Sequence, residues 1–130
     1  MISIETQLAI FLNNQPGTLA RTCQALAKES LNILALSVSD TVDHAVVRMV
    51  VSDAKRAVKV LQQLRVPVQE REVVFMDVAN TPGALAEIAE KLAEAGINLE
   101  YAYCTASASQ ERGNLVLRTN DIEETINTLS

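Results

Sequence analysis

The stretch Asn14-Gln-Pro-Gly-Thr-Leu-Ala20 returns 66 residues later as Asn80-Thr-Pro-Gly-Ala-Leu-Ala86. Over the twenty positions that begin at these two asparagines, eight residues are identical. Two unrelated segments of this composition would share roughly one or two residues, so the match is an internal repeat. The chain is therefore predicted to contain two copies of one small unit, and each copy has the same turn from a strand into a helix.

The pattern of apolar residues around the first turn predicts the order strand, helix, strand, strand, helix, strand. Pro16 is expected in the first turn of the first helix, where its missing N–H is not needed. The second helix is expected to start from a cap at Ser52 or Asp53. The predicted strands are 8–12, 32–39, 45–51 and 66–70, with a polar turn at 40–44, and the first helix is 16–29.

The same order begins again after the first copy, with strands predicted at 73–78, 98–107 and 114–119 and helices at 82–95 and from Asp121 onward. No fourth strand is evident in this copy, unless Ile2–Glu5 or another chain supplies it. The predicted fold class is α+β, with two ferredoxin-like βαββαβ repeats side by side, antiparallel sheets and helices on one face. The predicted domains are 1–71 and 72–130.

Composition excludes several classes of function. The chain has 130 residues, a net charge of −5 and only four aromatic residues, which argues against nucleic-acid binding. Its two cysteines suggest neither a disulfide framework nor a metal site. No apolar run is long enough to span a membrane and no signal peptide is apparent, so we expect a cytoplasmic protein. No cofactor motif and no catalytic set of side chains appears, so an enzyme is not expected.

The repeated Asn-x-Pro-Gly-x-Leu-Ala turn resembles that of the ACT domain, a small amino-acid-binding regulatory module of metabolic enzymes. In that family the motif Gly/Leu-Asn-Ile opens the second strand. This chain has Ser30-Leu-Asn-Ile33 and Gly96-Ile-Asn-Leu99 at those places. The resemblance covers almost the whole chain and implies a tandem ACT protein with no catalytic domain attached. Ser30 departs from the usual glycine, and asparagines stand where an acidic residue often precedes the turn.

The chemistry of the turn residues also predicts a ligand site, independently of the family. Gly17 and Gly83 have no side chain, so a ligand can approach the main chain closely. The free N–H groups of the helix start carry partial positive charge, which suits a carboxylate. Asn14 and Asn80 offer both donors and acceptors at the same place. These groups together are expected to hold the carboxylate and the ammonium group of a free amino acid.

In the resembling family the turn of one domain faces the second strand of its partner domain. The resemblance therefore implies that 13–19 faces 98–101 and that 80–85 faces 32–34. Tyr101 is expected either to line a pocket for the ligand side chain or to pack. The predicted ligand-binding residues are Asn13, Asn14, Gly17, Thr18, Leu19, Asn32, Ile33, Leu34, Asn80, Thr81, Gly83, Ala84, Leu85, Asn98, Leu99 and Tyr101.

Three functions stay open at this point. The first is a non-catalytic sensor of a free amino acid, expected to be a homodimer and to regulate a partner such as a biosynthetic enzyme, or its own assembly. The second is an interaction module whose turns bind nothing and whose sheet mediates oligomerisation. The third is a small enzyme on the same scaffold that hydrolyses acyl phosphates, because one fold supports many functions.

Overall fold

A computed structural model describes residues 1–40, 43–106 and 108–130 of the chain. Thr41 and Val42 of the predicted polar turn, and Ser107 of a predicted strand, lie outside the described residues. The elements are β1 (Ile2–Asn13), α1 (Thr18–Lys28), β2 (Ile33–Asp40), β3 (His44–Val51), α2 (Ala54–Gln63), β4 (Val68–Ala79), α3 (Ala84–Glu94), β5 (Leu99–Thr105), β6 (Arg112–Thr119) and α4 (Ile122–Leu129).

The chain forms two compact units, and their boundaries fall inside strands. One unit consists of residues 6–71 and is called the first-repeat unit; the other consists of 1–5 and 72–130 and is called the second-repeat unit. The predicted strands 66–70 and 73–78 are one continuous strand, β4. The polar stretch between them contains no Gly or Pro that would end a strand. The side chains of this stretch are exposed, so they are polar because they face water, and the stretch is not a linker.

The first five residues act as the fourth strand of the second-repeat unit. The backbone N–H of Asp77 donates a hydrogen bond to the carbonyl oxygen of Met1 over 3.2 Å. Of the two sources that the sequence left open for this strand, the structure uses the N-terminal residues of the chain itself. The predicted range 1–71 assigned these residues to the first repeat, whereas the compact units place them with 72–130.

The first-repeat unit has the strand order β2, β3, β1 and the start of β4. β1 and β3 are antiparallel, with Leu8 opposite Met49 and Ile10 opposite Val47. These four alternate residues share one face of the sheet and are fully buried. Leu26 of α1 and Leu61 of α2 belong to the same buried cluster. Both helices therefore cover the same face, as the α+β class requires.

In the second-repeat unit the order is the start of β1, then β4, β6 and β5. Val74 lies opposite Leu117 and Met76 opposite Leu115. The predicted inward residues of α4 are confirmed, because Ile122, Ile126 and Leu129 pack against this core. The predicted apolar face of α3 is only partly buried: Leu92 is 2% exposed, but Leu85 is 54% exposed. Leu85 lies in the first turn of α3, at the mouth of the hollow described below.

The predicted helix starts at Pro16 and Pro82 are wrong. α1 begins at Thr18 and α3 at Ala84, and in each case the preceding glycine is the N-cap. The prolines therefore lie in the turn and not in the helix. A left-handed glycine, with φ near 87°, separates each proline from its helix. L-residues rarely adopt this conformation, which explains why both copies of the repeat have Gly at this position.

Candidate functional site

The two Pro-Gly turns have the same backbone. Gly17 has φ 87° and ψ −11°, and Gly83 has φ 88° and ψ −10°. The carbonyl oxygen of Gly17 accepts from the N–H of Arg21, and that of Gly83 from the N–H of Glu87, each over 3.0 Å. Each turn therefore feeds directly into the first hydrogen bond of a helix. Neither helix start receives a side-chain capping hydrogen bond.

The other two helices begin differently. The Asp53 carboxylate accepts from the N–H of Arg56 over 3.2 Å at the start of α2. The Asp121 carboxylate does the same for Glu124 over 3.1 Å at the start of α4. Of the two predicted candidates for the cap of α2, Ser52 and Asp53, the structure uses Asp53, and Asp121, predicted to start the last helix, is its N-cap.

The first N–H groups of a helix have no partner within it, so a cap, a turn carbonyl, water or a ligand satisfies them. At α1 and α3 the first N–H, of Thr18 and of Ala84, donates to the carbonyl oxygen of Gln15 and of Thr81. Of these helices, α1 and α3 are the ones that keep their starts open to a ligand.

The asparagines that open the two turns already hold protein partners. Asn14 Nδ2 donates to Oδ1 of Asp40 over 2.7 Å. Asn80 Nδ2 donates to the carbonyl oxygen of Gln110 over 2.9 Å. Each asparagine thus uses an amide hydrogen to fasten its turn to a neighbouring segment of its own unit. Neither partner was predicted, because Asp40 is 26 residues and Gln110 is 30 residues from the asparagine that it binds.

A hollow lies beside each turn, and the two hollows differ in chemistry. The hollow of the first-repeat unit has a volume of about 300 Å³ and is lined by Asn13 and Thr18, together with the side chains of Arg21 and Arg65. The hollow of the second-repeat unit has about 130 Å³. Its lining has no charged residue and consists of Val78, Ala79, Asn80, Thr81, Ala84, Leu85, Cys104, Ala106, Gly113 and Leu115.

Gly113 limits the second hollow. A β-carbon added there would lie 2.6 Å from the carbonyl oxygen of Thr105 and 2.9 Å from the β-carbon of Ala106. A glycine inside a strand often marks such a close approach of another segment. Gly113 was expected in the stretch between the predicted strands 98–107 and 114–119 and was not singled out, although an isolated Gly next to a predicted apolar strand was the available signal.

Another open hollow, of about 420 Å³, includes Asp77 and Arg112 in the second-repeat unit. Hydrogen bonds from the Met1 ammonium group and from Arg112 lower the pKa of Asp77 from 3.8 to about 2. Arg112 Nε lies 2.6 Å from Oδ2 of Asp77. The corresponding pair in the first-repeat unit is Phe11 and His44, whose ring centroids are 6.1 Å apart. Equivalent backbone positions thus carry an ion pair in one copy and an aromatic contact in the other.

Asn32 and Asn98 were predicted to begin strands and lie one residue before β2 and β5, where their backbone N–H groups hold the strand starts. The N–H of Asn32 donates to Oγ of Ser52 over 3.0 Å. The N–H of Asn98 donates to Oδ1 of Asn120 over 2.9 Å. The strands that follow carry Ile33, Leu34, Leu99 and Tyr101, of which Leu34 and Leu99 are each 37% exposed.

Within one unit, a turn and the start of the second strand lie at opposite ends of the sheet. Ile33 pairs with Val51, whereas Asp40, the partner of Asn14, pairs with Ala45 at the other end. A single unit therefore does not bring its own turn and the start of its own second strand together. The pairing of 13–19 with 98–101 and of 80–85 with 32–34 stays a prediction.

Two further surveys concern only the described part of the chain. Residues 1–40, 43–106 and 108–130 contain no group of three or more His, Cys, Asp or Glu that is placed to hold a metal ion. None of the described helices is both long enough and apolar enough to cross a membrane.

Comparison with known proteins gives the family context. The family model for the ACT domain pair matches residues 2–129. A crystal structure of a protein from Bacteroides thetaiotaomicron is 34% identical, with a TM-score of 0.90, and the match covers 98% of this chain and 88% of that protein. A comparison with curated proteins gave no match.

Two structures of aspartate kinase regulatory subunits share the fold. The ligand-free subunit from Thermus thermophilus is 16% identical, with a TM-score of 0.72, and the match covers 98% of this chain and 93% of that one. The subunit from Thermus flavus is 18% identical, with a TM-score of 0.68, and the coverage is 98% and 94%. The βαββαβ repeats and the α+β class predicted from the sequence are thereby confirmed.

Proposed function

Because the chain belongs to the family of ACT domain pairs, we propose that it is a regulatory protein whose Pro-Gly turns bind a free amino acid. The observation that carries this proposal is the contrast between helix starts. The starts of α1 and α3 follow a left-handed glycine and have no side-chain cap, whereas α2 and α4 are capped by aspartates. The uncapped N–H groups suit the carboxylate of an amino acid.

The second strand of the other repeat, either within the chain or from a second copy, would complete the binding site. Asn13, Asn14 and Thr18 surround one uncapped helix start, and Asn80, Thr81 and Ala84 the other. The predicted partners on the second strands are 98–101 and 32–34. Each unit alone separates its turn from its second strand, which supports a ligand held between two repeats.

The proposed output is regulation of a partner enzyme or of assembly. Structures that share this fold include regulatory subunits of aspartate kinase, which supports a biosynthetic enzyme as the partner. The expected working form is a homodimer. A ligand can shift assembly or activity only as far as its affinity differs between the states involved. The proposal therefore requires a measurable change in one of them on ligand binding.

The test is a thermal-unfolding screen of the purified protein against each of the common amino acids at millimolar concentration. A ligand at a hundred times its dissociation constant stabilises the native state by about 2.7 kcal/mol, which raises the melting temperature by several degrees. We expect one amino acid, or a few of similar chemistry, to give this shift. Sedimentation velocity with and without that ligand then reports any change in assembly.

Gly83→Ala and Gly96→Ala form a matched pair of variants for this screen. Both glycines have positive φ, and an added β-carbon at either would meet no atom of the described residues within 4 Å. Both variants therefore carry similar backbone strain, but Gly83 lies in a Pro-Gly turn, whereas Gly96 follows the end of α3. The proposal predicts loss or weakening of the ligand shift in Gly83→Ala and its retention in Gly96→Ala. No shift with any amino acid, in a protein that still self-associates, would favour an interaction module without a ligand.

A further inference from the structure

The hollow of the first-repeat unit carries a concentration of positive charge that neither the fold nor the proposed function explains. It lies where the end of β1 and the start of α1 meet the end of α2 and the start of β4. Arg21 and Arg65 both line it, and no Asp or Glu does. This is unexpected for a chain with a net charge of −5.

Arg21 occupies an unfavourable position for a cation. It lies in the first turn of α1, close to the partial positive charge of the helix start, and that turn contains no acidic residue. Its guanidinium group bends back over the turn, so that Nη1 would lie 3.2 Å from a β-carbon placed on Gly17. At the equivalent position of α3 the second repeat has Glu87, whose charge the helix dipole favours.

Arg65 also lines the hollow and contributes a second guanidinium group. It follows Leu64, the C-cap of α2, and has φ 58°. A cation near the end of a helix is favourable, so Arg65 alone would indicate nothing about a ligand. Its importance is that it lines the same hollow as Arg21. Among the described residues, neither guanidinium group has a carboxylate within ion-pair distance or a side-chain hydrogen bond.

We propose that this hollow is a binding site for a small organic dianion, either a dicarboxylate or a phosphomonoester. Both chemistries offer oxygens that guanidinium groups bind with charge-assisted hydrogen bonds. Thr18 also lines the hollow, and its hydroxyl group offers a further donor. The volume of about 300 Å³ suits a molecule of several heavy atoms and not a bare ion alone. The site does not require that the proposed amino acid bind at this turn.

The experiment is isothermal titration calorimetry of the full chain with succinate, with inorganic phosphate and with succinamide, the uncharged analogue of succinate. Saturable binding of succinate or phosphate, with no binding of succinamide, is expected. Its dissociation constant should rise with added NaCl, because salt screens charge interactions. Binding of succinate alone would identify a dicarboxylate site, and binding of phosphate alone a phosphoryl site. Absence of binding by either anion would overturn the proposal.

Three charge-matched variants show whether the hollow is the place of binding. Arg21→Gln and Arg65→Gln should each raise the dissociation constant at least about tenfold, because each removes a charge-assisted contact. Lys55→Gln removes the same charge from the far end of α2, roughly 15 Å along the helix from Arg65, and should leave the constant within about twofold. Equal effects of all three variants would mean a general charge effect and would contradict the proposal.

Arg65→Gly separates binding from stability. Glycine adopts φ 58° without strain, so this variant should have a higher melting temperature than the parent protein. The anion site predicts that it nevertheless binds the dianion at least about tenfold more weakly. A variant that is more stable and binds as tightly as the parent would show that Arg65 only ends a helix.

Discussion

The two Pro-Gly turns are nearly superimposable in backbone conformation but differ in what surrounds them. Gly17 and Gly83 differ by 1° in φ and in ψ, and both lead into a helix without a side-chain cap. Four residues after the glycine, one turn has Arg21 and the other Glu87. The hollow beside the first turn has two arginines in its wall, whereas the hollow beside the second has no charged residue.

The residues of the repeat fall into two groups, those that the copies share and those that they do not share. The shared residues Pro, Gly, Leu and Ala determine the backbone, and with it the N–H groups that each helix start presents. The residues that the copies do not share determine charge and size at that place. The two turns are therefore expected to recognise a common chemical group, the carboxylate, within different surroundings.

The largest expected difference between the copies concerns Gly113 and its equivalent in the first repeat, Ala45. Val78 pairs with Gly113 as Leu12 pairs with Ala45. Gly113→Ala should lower the free energy of unfolding by about 2 kcal/mol, because the added methyl group meets the backbone of Thr105. Ala45→Gly should cost only about 0.5–1 kcal/mol. Urea denaturation measures both, and equal costs would mean that the two strands are equally crowded.

The turns themselves should respond alike. Gly17→Ala and Gly83→Ala should each lower the free energy of unfolding by about 1–2 kcal/mol, because alanine is strained at positive φ. Among the described residues, the one atom within 4 Å of a β-carbon on Gly17 is Nη1 of Arg21, the end of a flexible side chain that can move. Chemical denaturation should therefore give equal losses to within about 0.5 kcal/mol. A clear difference between the two losses in free energy of unfolding would contradict the equivalence of the two backbones.

A smaller difference lies where α1 and α3 end. The N–H of Leu31 donates to the carbonyl oxygen of Leu26, and the N–H of Ile97 donates to that of Leu92, so both ends share this closing hydrogen bond. The residue in the left-handed conformation is Ser30 in one copy and Gly96 in the other. Ser30→Gly should stabilise the protein by about 0.5–1 kcal/mol and Gly96→Ser should destabilise it by a similar amount. Thermal unfolding would contradict this if both changes had the same sign.

The smallest expected effect is that of charge at the two helix starts. Without ligand, Arg21→Glu should raise the free energy of unfolding by about 0.3–1 kcal/mol, because it gives α1 the charge that a helix start favours. Glu87→Arg should lower it by about as much. Both differences should shrink in 0.5 M NaCl as charges are screened. If Arg21→Glu destabilises the protein at low salt, Arg21 has a structural partner that this account does not include.

Much of the fold could be predicted from the sequence because local signals agreed with tertiary packing. The repeat, the apolar alternation of the strands and the caps at Asp53 and Asp121 each pointed to the same βαββαβ unit. The helix starts were misplaced because Pro16 and Pro82 suit a first helical turn, while the left-handed glycine after each proline delays the helix. The continuity of β4 was missed because its exposed polar residues looked like a linker.

The site was less predictable, because its chemistry depends on residues brought together from distant positions. Gly17 and Gly83 carry a visible signal, since a conformation that needs glycine appears in both copies. Arg21 and Arg65 are 44 positions apart and line one hollow only after α2 has packed beside the turn. A positive charge on a helix surface is usually solvated, so the sequence alone offered no reason to single out either arginine.

The central claim is that the backbone N–H groups at the starts of α1 and α3 bind the ligand carboxylate. Two-dimensional ¹⁵N–¹H NMR tests this directly, by titrating the labelled protein with the amino acid that most raises its melting temperature. The account predicts that the largest shifts fall on the amides of residues 18–20 and 84–86, whereas the aspartate-capped starts of α2 and α4 change little. Saturable binding that moves other amides and leaves both turns unchanged would contradict it.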